Sequence, residues 1–150
     1  RHPLKSGCRF FASRGFEDSR NPLMDSASGR LSAALLLLYY IQGNYAAIYD
    51  KPLFDAPFVP LKESALPLTP EAKEVVDRVL DTFGMYSGKV LESITHKEAP
   101  WLDARKGFLP DETSHAEISL DAMKAYFKKV DEKYNIRTED GLREYISKML

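Results

Sequence analysis

The densest apolar run, LSAALLLLYYIQGNYAAI from Leu31 to Ile48, has so few polar breaks that no face can be told from its opposite. Its length and its Ala and Leu content favour helix over strand. Gln42, Gly43 and Asn44 interrupt it, and its eighteen residues fall short of the roughly 20 that span a bilayer. A buried core helix is therefore expected, with Gly43 as a candidate kink. The next segment, YDKPLFDAPFVP, holds Pro52, Pro57 and Pro60 and reads as a connector, because each proline disfavours helix at the residue before it.

Beyond the connector the pattern becomes periodic. Thr69, Pro70 and Glu71 form a helix start: a side-chain oxygen to cap free N–H groups, a proline pre-set for the first turn, and an acid that suits the dipole. Val75, Val76, Val79, Leu80 and Phe83 then fall on one face, and Gly84 can end the helix. Ser87 can cap a shorter helix holding Val90, Leu91 and Ile94, which should stop ahead of Pro100. Ser119 begins another, with Leu120, Met123, Tyr126, Phe127 and Val130 spaced three or four apart, and Thr138 begins the last, with Leu142, Tyr145, Ile146 and Met149 on its stripe. No strand pair and no repeat of fixed period emerges. The pattern predicts a mainly α protein, a single compact domain of about five helices over residues 31–150, behind an irregular or tail-like arm over residues 1–30 that mixes Gly, Ser, Pro and Arg without a period.

Composition agrees with this and narrows the function. An apolar fraction of 44% beside 29% charged residues is that of a globular protein, and 150 residues suffice for one core. The net charge is −1; residues 1–30 carry six Lys or Arg against three acids, and the remainder carries 15 against 19. Nucleic acid is thus not the expected partner, and no basic second helix supports a helix-turn-helix reading. A single cysteine, Cys8, forms no intrachain disulfide and points to a reducing, cytoplasmic setting; no export signal is expected. The chain opens on Arg1 and not on methionine, as expected of a fragment or a processed product.

The reactive side chains do not assemble into a familiar active site. The stretch ITHKEAPWLDARKG is dense in them, yet His96 with Glu98, and His115 with Glu117, are two residues apart and do not share a helix face as zinc pairs do. Ser93, His96 and Asp103 supply the residue types of a triad without a nucleophile elbow. FGMYSGK lacks the spacing of a phosphate loop, and Glu71, Glu74, Asp77 and Asp81 read as a solvated face. No catalytic residue, no metal site and no cofactor is expected. What survives is an interaction reading, carried by Tyr39, Tyr40, Tyr45, Tyr49 and Trp101, residue types that bury large area at interfaces.

Two ordered motifs resemble a known family. LLLLYYIQGNYAAIYDKPLFDAP is similar to the first signature of the Panacea domain, the SocA-like antitoxin family, through Leu37, Leu38, Tyr39, Tyr40, Gln42, Gly43, Lys51, Pro52, Leu53 and Phe54. LDTFGMYSGKVLESITHKEAPW resembles its second signature through Leu91, Thr95, His96, Glu98, Pro100 and Trp101. The likeness covers roughly residues 31 to 130; the section after Pro57 is shorter than the family's, and Ala33 and Ala34 stand where Lys and Gln are usual. The resemblance implies a phage-associated or toxin–antitoxin protein that binds and neutralises a cognate toxin by forming a complex, without catalysis. A diverged structural or regulatory interaction domain of the same fold is the alternative, and a second copy of the chain is a further candidate partner. Under this resemblance Tyr39, Tyr40, His96 and Trp101 are the partner-binding candidates, forming the contact surface or holding its shape.

Overall fold

Four short polar side chains set the helix starts. A computed structural model describes residues 10–11, 22–54, 68–109 and 117–150, with backbone only for 10–11 and 22–32. In it Thr69, Ser87, Ser119 and Thr138 each hold an extended backbone one residue ahead of a helix, and each side-chain oxygen accepts from a backbone N–H three residues on, those of Ala72, Val90, Ala122 and Gly141. Each bond satisfies a donor that the first turn leaves open. The starts expected from sequence at these positions are the starts observed.

The described residues form six helices: α1 (Pro22–Tyr49), α2 (Pro70–Phe83), α3 (Gly88–Thr95), α4 (Ala99–Ala104), α5 (Leu120–Tyr134) and α6 (Glu139–Met149). The additional one is α4. Pro100, expected to mark only the end of a helix, lies in the first turn of this one, where the missing N–H costs nothing. α1 also begins at Pro22, so residues 22–30 belong to a helix and not to an irregular arm, while 1–9 and 12–21, with Cys8, lie outside the described residues. A minimal antiparallel pair, β1 (Phe10–Phe11) with β2 (Glu117–Ile118), matches Phe10 to Ile118 and Phe11 to Glu117. Two residues a side are too few to leave an alternating signal in the sequence.

α1 is the centre. It packs against α2, α3 and α5, and every residue from Tyr39 to Ala47 is buried, which is why its sequence shows no polar face. Among the described residues no helix is long and apolar enough to cross a membrane. Val75, Val79 and Phe83 of α2, Leu91 and Ile94 of α3, Met123, Phe127 and Val130 of α5, and Leu142, Tyr145 and Ile146 of α6 complete the core. One expected core position is corrected: Leu80 points outward at 44% exposed, and Thr82 is buried in its stead, its hydroxyl satisfied by the Arg78 carbonyl at 2.8 Å.

α1 ends at Asp50, whose φ of 63° breaks the helix. The Asp50 carboxylate then reaches α5, 2.8 Å from Lys124 Nζ and 2.7 Å from Lys128 Nζ, and these hydrogen-bonded ammonium groups hold its carboxyl down to about 2. Inside α1 a side chain at Gly43 would run into the Phe127 ring. The glycine thus marks a close approach of α5 to α1. That ring is itself wedged edge-on against Tyr39 and Tyr40, so it has little room to yield. Gly43→Ala is therefore expected to lower stability by about 1 to 2 kcal/mol, overpacking outweighing the better helix propensity of alanine. A urea midpoint equal to or above that of the parent would contradict this packing.

Candidate functional site

Tyr39 and Tyr40 are neighbours on α1, and because that helix is surrounded both rings can point inward. Tyr39 is 2% exposed and Tyr40 0%. Phe83 stacks on Tyr40 with centroids 4.3 Å apart, and Tyr39 meets Tyr40 edge to face at 5.0 Å. A phenol buried this deeply needs a partner for its O–H. Both find it on the turn between α3 and α4: the Tyr39 hydroxyl donates to Glu98 Oε2 at 2.9 Å and the Tyr40 hydroxyl lies 3.0 Å from Glu98 Oε1. From α6 the Tyr145 hydroxyl donates to the same Oε1 at 2.6 Å. Thr95 Oγ1 lies 2.9 Å from the Tyr40 hydroxyl, and the Tyr126 hydroxyl of α5 lies 2.9 Å from that of Tyr145.

Glu98 is the hub of this cluster and is itself 0% exposed. It stands at the residue ahead of α4, a position where acids commonly cap the helix, yet its side chain makes no capping bond. The carboxyl is turned inward to the tyrosines. Burial pushes it up to about 7, against the Tyr145, Tyr39 and Tyr40 hydrogen bonds, which pull it down. The phenols move too. Burial and, after it, the nearby Glu98 charge raise Tyr39 and Tyr40 well above the usual range, raise Tyr145 in the same direction, and take Tyr126 to about 12.

Gln42 plays a second internal part. Its amide NH2 donates to the Phe54 carbonyl at 3.0 Å and its Oε1 accepts from the Leu53 N–H at 2.9 Å. One fully buried side chain thereby imitates a strand edge and fixes the KPLF segment against α1.

His96 and Trp101 lie on the outer side of the same turn. Their rings stack, with centroids 3.9 Å apart and planes 19° from parallel. His96 Nε2 is 3.7 Å from Glu92 Oε1, and the His96 side chain is 29% exposed. Arg105, nine-tenths buried, places its guanidinium 5.7 Å from both the Trp101 and Phe108 rings and donates to the Leu109 carbonyl at 2.9 Å. Leu102, Phe108 and Leu109 stay exposed beside them.

The four partner-binding candidates thus divide into two pairs. Tyr39 and Tyr40 lie in the interior, where they can hold the shape of a contact surface but not form one, since their area is consumed by the core and their hydroxyls face Glu98. His96 and Trp101 are half-buried, Trp101 packed in part against the core, next to exposed apolar side chains. Tyr45 is also buried, tilted against a half-buried Tyr49 at 4.8 Å. Sequence reasoning missed Glu98 as a hub, along with Thr95, Tyr126 and Tyr145 around it. The available signal was the placing of Tyr126 and Tyr145 on apolar stripes, since a buried phenol implies a buried acceptor. Of the rejected metal pairs, His96 stacks on Trp101 while the Glu98 carboxyl is turned inward to the tyrosines, and His115 lies outside the described residues. Among the described residues no group of three or more His, Cys, Asp or Glu is arranged to hold a metal ion.

Among the described residues the cluster is a polar core in which Glu98, Thr95, Tyr39, Tyr40 and Tyr145 are buried and Tyr126 half-buried, and the stacked pair is an aromatic patch with apolar neighbours. No family model matches this chain, and neither a characterised protein nor a solved structure does.

Proposed function

We propose that the chain is an antitoxin-like binding protein that neutralises a cognate toxin by holding it in a complex, inside the reducing interior of a cell. One observation carries this reading: the two segments that resemble the Panacea signatures meet in the fold. Tyr39 and Tyr40 of the first bond to Thr95 and Glu98 of the second, and Gln42 ties the first to its own KPLF segment. The shared residues are therefore those that build one joint, and a family likeness at such residues is a likeness of architecture. The same joint carries the half-buried stacked pair His96 and Trp101 next to exposed Leu102, Phe108 and Leu109, an aromatic and apolar patch of the kind that anchors binding.

Co-expression with the product of an adjacent reading frame tests the reading: growth should be rescued and the two proteins should purify together. Leu102→Asp, at a side chain 47% exposed, is expected to weaken that complex by at least about tenfold while leaving the melting temperature within a few degrees, because a charge in an apolar contact has no partner. Failure of both rescue and co-purification would leave an interaction domain of the same fold without neutralising activity.

A further inference from the structure

The hydrogen bonds around Glu98 can be checked proton by proton. The set contains six contacts: Tyr39 to Glu98 Oε2, Tyr40 and Tyr145 each to Glu98 Oε1, Tyr40 to Thr95, Thr95 to the Leu91 carbonyl, and Tyr126 to Tyr145. Each needs one proton between its two oxygens. The hydroxyls that make them, on Tyr39, Tyr40, Thr95, Tyr126 and Tyr145, carry one apiece, one short of the contacts. The Thr95 proton is committed to the Leu91 carbonyl at 2.9 Å, so the Tyr40–Thr95 contact needs the Tyr40 proton. The Tyr40–Glu98 contact is then left with none, unless the carboxyl brings its own.

We propose that Glu98 is held as a neutral carboxylic acid that donates its proton to Tyr40 Oη, and that loss of this proton loosens the hold of α1 and α6 on the turn ahead of α4, making the joint a pH-sensitive element of the fold. Among the described residues, the titratable groups that face Glu98 are phenols: Tyr39 and Tyr40 from α1, Tyr126 from α5 and Tyr145 from α6. α3 contributes the Thr95 hydroxyl and α2 the ring of Phe83. None of these supplies a cation to balance a carboxylate. Burial raises the Glu98 carboxyl from 4.5 to about 7, so the folded state binds the proton more tightly than the unfolded chain. The resulting stabilisation is complete below pH 4.5 and fades as pH rises to about 7, beyond which it is gone.

Trp101 is the chain's only tryptophan, belongs to α4 and stacks on His96 of the turn, so it reports on that turn directly. In heavy water at pH 6 the infrared spectrum should show a neutral-acid carbonyl band that is missing from Glu98→Gln and that fades with a midpoint near 7 in the parent protein. Trp101 emission should shift with the same midpoint. That step should be absent in Glu98→Gln, which keeps a donor and an acceptor in place, and present in His96→Gln, which removes the stacked imidazole as a source of quenching. The parent protein's unfolding constant should rise by roughly a hundredfold relative to Glu98→Gln between pH 5 and pH 8. Thr95→Val gives the sharpest contrast. It removes two contacts and one proton, so the remaining set closes around a carboxylate and the midpoint should fall by roughly a unit; burial alone predicts no fall. An absent acid band at pH 6, a band that survives Glu98→Gln, a Trp101 step that survives it, or an unmoved midpoint in Thr95→Val overturns the proposal.

Discussion

Val79→Asp is expected to destabilise the protein by about 4 kcal/mol or more, enough to abolish or sharply lower its cooperative melting. Val79 is 0% exposed and lies in the middle of the α2 face that closes on α1. An aspartate there loses the methyl contacts of the valine and brings a carboxyl into the apolar core that α2 shares with α1. It must either stay charged without a partner or take up a proton, and both cost several kcal/mol. A melt followed by far-ultraviolet circular dichroism should show a drop of about 15 °C or loss of the transition. Leu80→Asp is the matched control. The sequence pattern puts both residues on one stripe, but Leu80 is 44% exposed, so its replacement is expected to change stability by no more than about 0.5 kcal/mol. Equal damage from the two substitutions would mean that α2 is rotated from the orientation described.

That pair shows where local reading stops. The caps at Thr69, Ser87, Ser119 and Thr138 were legible because the donor and the acceptor lie three residues apart, so the chemistry is contained in the sequence window. The stripes of α5 and α6 were legible for a related reason: each helix has one solvated side, which imposes a period. α1 has no solvated side between Tyr39 and Ala47 and therefore no period. Its Gly43 looked like a kink because a glycine in a helix suggests local weakness, whereas its reason is the Phe127 ring of another helix. Leu80 and Thr82 could not be ranked from sequence, since the edge of an apolar stripe is decided by what packs against it.

The hub was hidden for the same physical reason at greater range. Glu98 looked like one more charged residue in a polar stretch, and an acid is normally solvated. Its partners come from positions 39, 40 and 145, and nothing within a turn of helix on either side discloses that phenols from two distant helices converge there. Trp101 was picked out by residue type and His96 by the family resemblance, both weaker guides than geometry. The same criteria selected Tyr39 and Tyr40, and the structure separates the pairs by which side of the Thr95–Pro100 turn they occupy.

Tyr40 allows the packing and hydrogen-bonding parts of the hub to be measured apart. Tyr40→Ala is expected to cost about 4 to 5 kcal/mol: it empties a ring-sized space between Phe83 and Phe127, within the range seen for large aromatic truncations, and removes the hydroxyl from Glu98 and Thr95 as well. Tyr40→Phe keeps the ring and takes away two contacts with one proton, so the four hydroxyls of Tyr39, Tyr126, Tyr145 and Thr95 suffice for the four contacts that remain. Its cost should be about 1 kcal/mol, the net worth of an ordinary buried hydrogen bond. Urea unfolding of the two variants at pH 6 gives both numbers. A phenylalanine variant as damaged as the alanine one would place the energy of the joint in its hydroxyls; one that is the more stable of the two by about 3 kcal/mol places it in the aromatic stack, with the hydroxyl cluster setting which groups meet there and in which protonation state.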